Sequence, residues 1–134
     1  MSELTITTSQ IQGDVTATIL HLHGHLHGPT EQELLDSARQ IFEDGTKHLL
    51  LDMSELEVLS SAGLRAIQNI FKLFTPQDDV DVMRKHGDEP YKSPYFKIVC
   101  AKPEIYYILN ITGFLQNILI YNNLIDATDS FGGQ

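Results

Sequence analysis

The sequence predicts an α/β domain built on a mixed sheet of about five strands, with elements in the order ββαβαβαβ. Three observations lead there. The chain opens on two β-rich stretches, short apolar runs then alternate with segments of helical spacing, and 134 residues suit one domain. Strands that alternate with helices argue for an open sheet with right-handed crossovers.

Thr5 to Ile11 alternates in part and meets Gly13, while Val15 to Leu26 is β-branched and Leu-rich. The pair reads as an N-terminal hairpin in which Gly24 is a candidate bend or bulge. Pro29 and Thr30 open the first helix, with Thr30 as cap, Glu33 completing a capping box and Gly45 as the stop. Leu34, Leu35, Ala38, Ile41 and Phe42 form its apolar face. His48-Leu49-Leu50-Leu51-Asp52 reads as a strand covered on both faces and ending at the polar Asp52 and Ser54.

From Ala62 the period becomes helical, with Leu64, Ile67, Phe71 and Phe74 on one stripe. Lys97 to Cys100 returns to strand. Pro103 and Glu104 begin a further helix that faces inward through Ile105, Ile108 and Leu109 and ends near Gly113. Asn117 to Tyr121 is the last strand, and Leu124 to Phe131 a weak terminal helix. The expectation is a single domain over residues 1–134 with a long insertion loop at about 75–95. That loop holds three of the five prolines, an acidic Asp78-Asp79-Val80-Asp81 cluster and a basic Arg84-Lys85-His86 cluster.

Bulk properties exclude several function classes. Nine Lys and Arg against eighteen Asp and Glu give a formal net charge of -9, which opposes attraction to nucleic acid or to an anionic membrane. The N-terminal residues carry no basic region followed by an apolar run, and no apolar segment reaches the length of about 18 residues that spans a bilayer, so a cytoplasmic protein is expected. Cys100 is the only cysteine, which rules out an intrachain disulfide and reads as a buried small hydrophobe. The sequence shows no Gly-rich phosphate loop and no Gly-x-Ser-x-Gly elbow. It therefore predicts a non-enzyme without cofactors.

The informative stretch runs from Asp52-Met53-Ser54 to Leu59-Ser60-Ser61-Ala62-Gly63-Leu64-Arg65. A strand, a turn and a helix opening on Ser-Ser-Ala-Gly put Ser61 at or beside the N-cap, near unpaired backbone N–H groups. A phosphate there would face the positive end of the helix dipole, so the fold would tolerate it while a docked partner would not. Gly63 allows close approach of the backbone at this turn.

These residues resemble the STAS domain of bacterial anti-sigma factor antagonists. Gly24-His25-Leu26 resembles that family's Gly-x-Leu/Ile stretch, and Ile108-Leu109-Asn110-Ile111-Thr112-Gly113-Phe114 its segment from helix to last strand. The resemblance implies a partner-switching protein, an anti-anti-sigma factor phosphorylated on Ser61, with Ser60 the second choice. It implies a partner that is both an anti-sigma factor and a serine kinase of the histidine-kinase-like ATPase fold, and a serine phosphatase that resets the switch. The implied partner-binding residues are Ser60, Ser61, Ala62, Gly63, Leu64, Arg65, His25 and His27. Many family members carry Asp where this chain has Ser60 and His27, which leaves open a non-sigma output such as lipid transport or a stress complex.

His21, His23, His25 and His27 recur at every second residue and on an extended strand share one face. They suggest an alternative reading as a small metal-binding or metal-sensing protein. Residues along one strand are spread about 7 Å per pair, and no cysteine pair or acidic cluster lies nearby in sequence, so no metal ligands are assigned.

Overall fold

The structure, a computed structural model, describes residues 3–12, 15–79, 92–111 and 116–131. Five strands lie side by side in chain order: β1 (Leu4–Ile11), β2 (Ala17–Leu26), β3 (His48–Leu59), β4 (Phe96–Val99) and β5 (Leu119–Tyr121). β1 is antiparallel to β2, and every later neighbour is parallel. The helices are α1 (Glu31–Glu43), α2 (Ser61–Phe74), α3 (Pro103–Ile111) and α4 (Leu124–Asp129). The mixed α/β sheet and the order ββαβαβαβ are those expected from the sequence.

Parallel strands taken in chain order, joined by crossovers of one hand, carry all their crossover helices on one face of the sheet. The core follows from this. Leu20, Leu22, Leu49, Leu51 and Ile98 pack with Leu34 and Ala38 of α1, Leu64, Ile67, Ile70, Phe71 and Phe74 of α2, and Ile105 and Leu109 of α3. Alternate strand residues Ile19, Leu50 and Val99 form a smaller cluster on the other face with Ala127 of α4 and Phe131. Full burial of one such aliphatic side chain contributes roughly 1.5–3 kcal/mol. Cys100 is 2% exposed, and burial raises its thiol pKa, as suits a packing residue.

Two local expectations change. α1 is preceded by a 3₁₀ turn at Gly28–Thr30, and Thr30 makes no side-chain cap bond to the helix. Its hydroxyl instead donates to the His25 carbonyl at 2.7 Å and accepts from the His27 N–H at 3.1 Å, so it closes the β2-to-α1 turn. At the other end, Gly45 at φ +103° lets its own N–H reach the Phe42 carbonyl and the Thr46 N–H reach that of Ile41, a Schellman stop.

The second change concerns β3, which runs on past Asp52 to Leu59. Its pairing with β2 shifts register between His21 and His23 and again between Gly24 and His25, so β3 carries extra residues at two bulges. Met53, Leu56 and Leu59 are consequently buried at intervals of three rather than two. β4 pairs only with Leu49 to Asp52, and farther along Lys102 Nζ donates to the Leu56 carbonyl at 3.0 Å. Of the expected 75–95 insertion, residues 80–91 lie outside the described residues, as do Gly13 of the hairpin turn and Gly113 after α3.

The C-terminal segment closes over Lys97 and His48. The Lys97 amine, on a residue 6% exposed, donates to the Ser130 carbonyl and hydroxyl at 3.1 and 3.0 Å and lies 4.2 Å from the centroid of the Phe131 ring. His48 sits against Tyr95 and Phe131, with ring centroids 5.3 and 6.0 Å away. Burial, and then the Lys97 charge, push the His48 pKa below its usual value of about 6.5. At pH values between the lowered folded pKa and 6.5, the unfolded chain binds a proton that the folded chain refuses, so acidification destabilises. The urea midpoint should fall between about pH 7.5 and about pH 5.5. His48→Gln should flatten that dependence, and an unchanged slope in the variant would show that His48 does not contribute.

Candidate functional site

The end of β3 and the start of α2 meet the end of β2 in a few backbone contacts. The Ser60 N–H donates to the Leu26 carbonyl at 3.1 Å, which stitches the turn to β2. Ser60 is the N-cap of α2, with extended backbone angles of -102° and 176°, and its hydroxyl accepts from the Gly63 N–H at 3.3 Å. Its carbonyl accepts from Leu64 N–H at 3.0 Å, the first helical bond. Ser61 follows as the first helical residue, exposed, and its hydroxyl has no hydrogen-bond partner among the described residues. The sequence places Ser61 at or beside the N-cap; the structure gives the cap to Ser60 and the first helical position to Ser61.

Gly63 is buried, and a Cβ there would lie 2.8 Å from the Leu26 carbonyl oxygen and 2.9 Å from side-chain carbons of Leu26 and Leu59. The close approach seen here is to Leu26 at the end of β2 and Leu59 at the end of β3. Leu64 is also buried, 5% exposed, and packs in the main core. Gly63 and Leu64, expected at a partner surface, are thus interior residues. Ser61 and Arg65 are exposed, and Ser60 and Ala62 partly so. Arg65 lies four residues after Ser61, hence one turn along the same helical face. The first turn of α2 carries no acidic side chain.

Beside the turn, His25 pairs with Val58 and Leu26 with Leu59 in the β2–β3 ladder. Val58 is 42% exposed, so an apolar side chain and the imidazole of His25 flank the serine turn. His25 and His27, with side chains 38% and 24% exposed, also face Glu3 at 3.4 and 3.5 Å. Glu3 was not legible as their neighbour, because only the hairpin register, with Leu4 opposite Gly24, brings it there.

The four histidines do not act as one row. His23 is exposed, whereas His21 places Nδ1 2.7 Å from Asp52 Oδ2 and Nε2 2.8 Å from Ser9 Oγ. Asp52 Oδ1 in turn accepts from the Ser54 N–H and hydroxyl at 3.1 and 2.6 Å. A serine, a histidine and an aspartate in a line invite comparison with a hydrolytic triad. Ser9 is exposed on β1. The relay instead ties β1, β2 and β3 together on the sheet surface.

The sequence model of the STAS domain matches residues 6–83, more than half of the chain and all of the serine turn. The chain belongs to the STAS-domain family. An anti-sigma factor antagonist from Mycobacterium paratuberculosis superposes with a TM-score of 0.69 at 22% identity, covering 95% of this chain and 94% of that one. SpoIIAA in its unphosphorylated form gives a TM-score of 0.59 at 9% identity over 93% of this chain and 94% of the other. The Bacillus cell fate determinant SpoIIAA in the phosphorylated form gives 0.59 at 9% identity over 93% and 97%. The STAS chain thus has the fold of anti-sigma factor antagonists. No curated protein sequence matches it significantly. Of the segment Ile108 to Phe114 that resembled the family, Thr112 to Phe114 lie outside the described residues. Among the described residues no helix is long and apolar enough to cross a membrane.

The geometry separates the two serines energetically. Ser60→Ala removes a cap and should cost about 1 kcal/mol in chemical denaturation. Ser61→Ala should stay within about 0.5 kcal/mol of the parent. Gly63→Ala drives a Cβ into a backbone carbonyl and should cost about 1–3 kcal/mol or more; a neutral Gly63→Ala would contradict the tight contact with Leu26.

Proposed function

We propose that this STAS protein is an anti-sigma factor antagonist, a non-enzyme that works by capturing and releasing a regulatory protein under control of phosphate on Ser61. The observation that carries the reading is the division of labour at the turn. Ser60 spends its hydroxyl on the helix cap, whereas Ser61 presents an exposed hydroxyl on the first helical residue.

Chemistry favours phosphate at that place. Each favourable charge at a helix N-terminus is worth about 0.3–1 kcal/mol, and a phosphoserine carries about -1.5 to -2 charges. Arg65, one turn on, is positioned to pair with it. The modified domain keeps its fold, and the fold likeness to SpoIIAA in both its unphosphorylated and phosphorylated forms supports this. A partner docked over Ser61, Arg65, Val58 and the edge of His25 and His27 meets a doubly charged group instead of a hydroxyl, and lets go.

The partner in this reading is an anti-sigma factor that is also a serine kinase of the histidine-kinase-like ATPase fold, with a phosphatase to reverse the mark. The likeness to anti-sigma factor antagonists supports a sigma-linked output over lipid transport or a stress complex. The net charge of -9 supports a protein partner over nucleic acid or an anionic membrane.

The test is transfer of phosphate from ATP by such a kinase, with the modified peptide located by mass. Ser60→Ala should still accept phosphate, and Ser61→Ala should not. Ser61→Asp should weaken capture of the kinase partner by about tenfold or more, or about 1.4 kcal/mol. Undiminished transfer to Ser61→Ala would sink the assignment.

A further inference from the structure

We infer that Glu3, His25 and His27 form a binding site for a divalent transition-metal ion of the zinc class. The inference rests on a different cluster from Ser61 and stands whether or not that serine is phosphorylated. One carboxylate oxygen and two imidazole nitrogens from these residues all lie within 4.8 Å of one another.

Backbone irregularities build the cluster. Gly24, at φ +111°, leaves no room for a side chain: a Cβ there would lie 2.2 Å from the Glu3 carbonyl oxygen. That carbonyl accepts from the His25 N–H at 3.0 Å, which fixes the Glu3 backbone beside the histidines. On the other side, the second bulge of β3 leaves Glu57 without a ladder partner, and its Oε2 lies 3.4 Å from His25 Nε2. One imidazole therefore stands between two carboxylates.

The two histidine–carboxylate distances, to the two different oxygens of Glu3, are close to those between ligands of one ion. His25 Nδ1 is 3.4 Å from Glu3 Oε2, and His27 Nε2 is 3.5 Å from Glu3 Oε1. Two ligands each about 2.0–2.1 Å from a tetrahedral ion are about 3.3–3.4 Å apart. The contrast is within the same strand: His21 and Asp52, a true hydrogen-bonded pair, close to 2.7 Å. His27 Nε2 is moreover buried and has no hydrogen-bond partner among the described residues, a costly condition that a metal–nitrogen bond would relieve.

The surroundings match how proteins hold such ions. With Nδ1 of His25 on the metal, its Nε2–H points to Glu57, the carboxylate–histidine–metal arrangement that fixes tautomer and ring orientation. Two imidazoles and a carboxylate select a borderline ion over magnesium or calcium, which take oxygen ligands. Three protein ligands leave a fourth position for water or for a donor from outside the chain.

Calorimetric titration of the tag-free full chain with zinc chloride should show one ion bound per chain, and magnesium chloride should give no comparable binding. His27→Ala and His25→Ala should abolish the zinc signal, and Glu57→Gln should weaken it by about tenfold or more. His23→Ala, on the same strand but outside the cluster, should bind as the parent does. Glu3→Gln alters a half-exposed side chain without touching the core and should weaken zinc binding even if a histidine variant misfolds. Absence of stoichiometric zinc binding by the parent, or equal loss in His23→Ala, or unchanged binding in Glu3→Gln and His27→Ala, would overturn the site.

Discussion

The arrangement depends on one contact, the first turn of α2 resting on the carbonyl of Leu26. That oxygen accepts from the Ser60 N–H and lies where a Cβ of residue 63 would be, so glycine alone allows the helix to come so close. The contact sets where α2 leaves β3, aims its apolar stripe of Leu64, Ile67, Phe71 and Phe74 at the sheet, and turns Ser61 outward. It also joins the two halves of the surface. Leu26 lies between His25 and His27 in the chain, so the imidazoles and the serine share one corner of the domain.

Irregular strand geometry then decides what surrounds that corner. A regular β3 would alternate its side chains between the two faces of the sheet. The two bulges instead bury Met53, Leu56 and Leu59 at every third position and leave Glu57 and Val58 exposed beside His25. Gly24 does the corresponding service on the β1 side by admitting the backbone of Glu3. Bulges tend to gather where a side chain must be re-aimed, and here the side chains concerned are acids brought toward histidine.

The same irregularities mark the limits of what could be read from the chain. α2 was legible because its apolar stripe keeps helical spacing, and the core half of β3 because its leucines run unbroken. The second half of β3 was not, since buried residues at intervals of three match neither strand nor helix until the bulges are known. Glu3 could not be joined to His25 and His27, because no local signal sets the register of a hairpin whose turn is not decisive. Thr30 carried a sound cap signature, yet its hydroxyl is drawn to the His25 carbonyl and the His27 N–H, where tertiary demand outweighs helix propensity. Turn chemistry alone did not separate the neighbouring hydroxyls of Ser60 and Ser61; the Gly63 N–H and the difference in exposure do.

A phosphate switch at such a corner works only if the mark acts more strongly on docking than on folding, since a ligand or modification shifts an equilibrium by its differential effect on the two states. On the proposed reading, phosphate on Ser61 would act on folding only weakly and favourably, by about 0.3–1 kcal/mol from the helix terminus. Removing a multiply charged group from water at an unmatched interface costs several kcal/mol per ion. On that reading the imbalance would favour release. Phosphate on Ser60 would replace the hydroxyl that caps α2 and so act on the turn itself, mixing an effect on fold with an effect on binding. An exposed, uncommitted hydroxyl one residue into the helix keeps those two consequences apart.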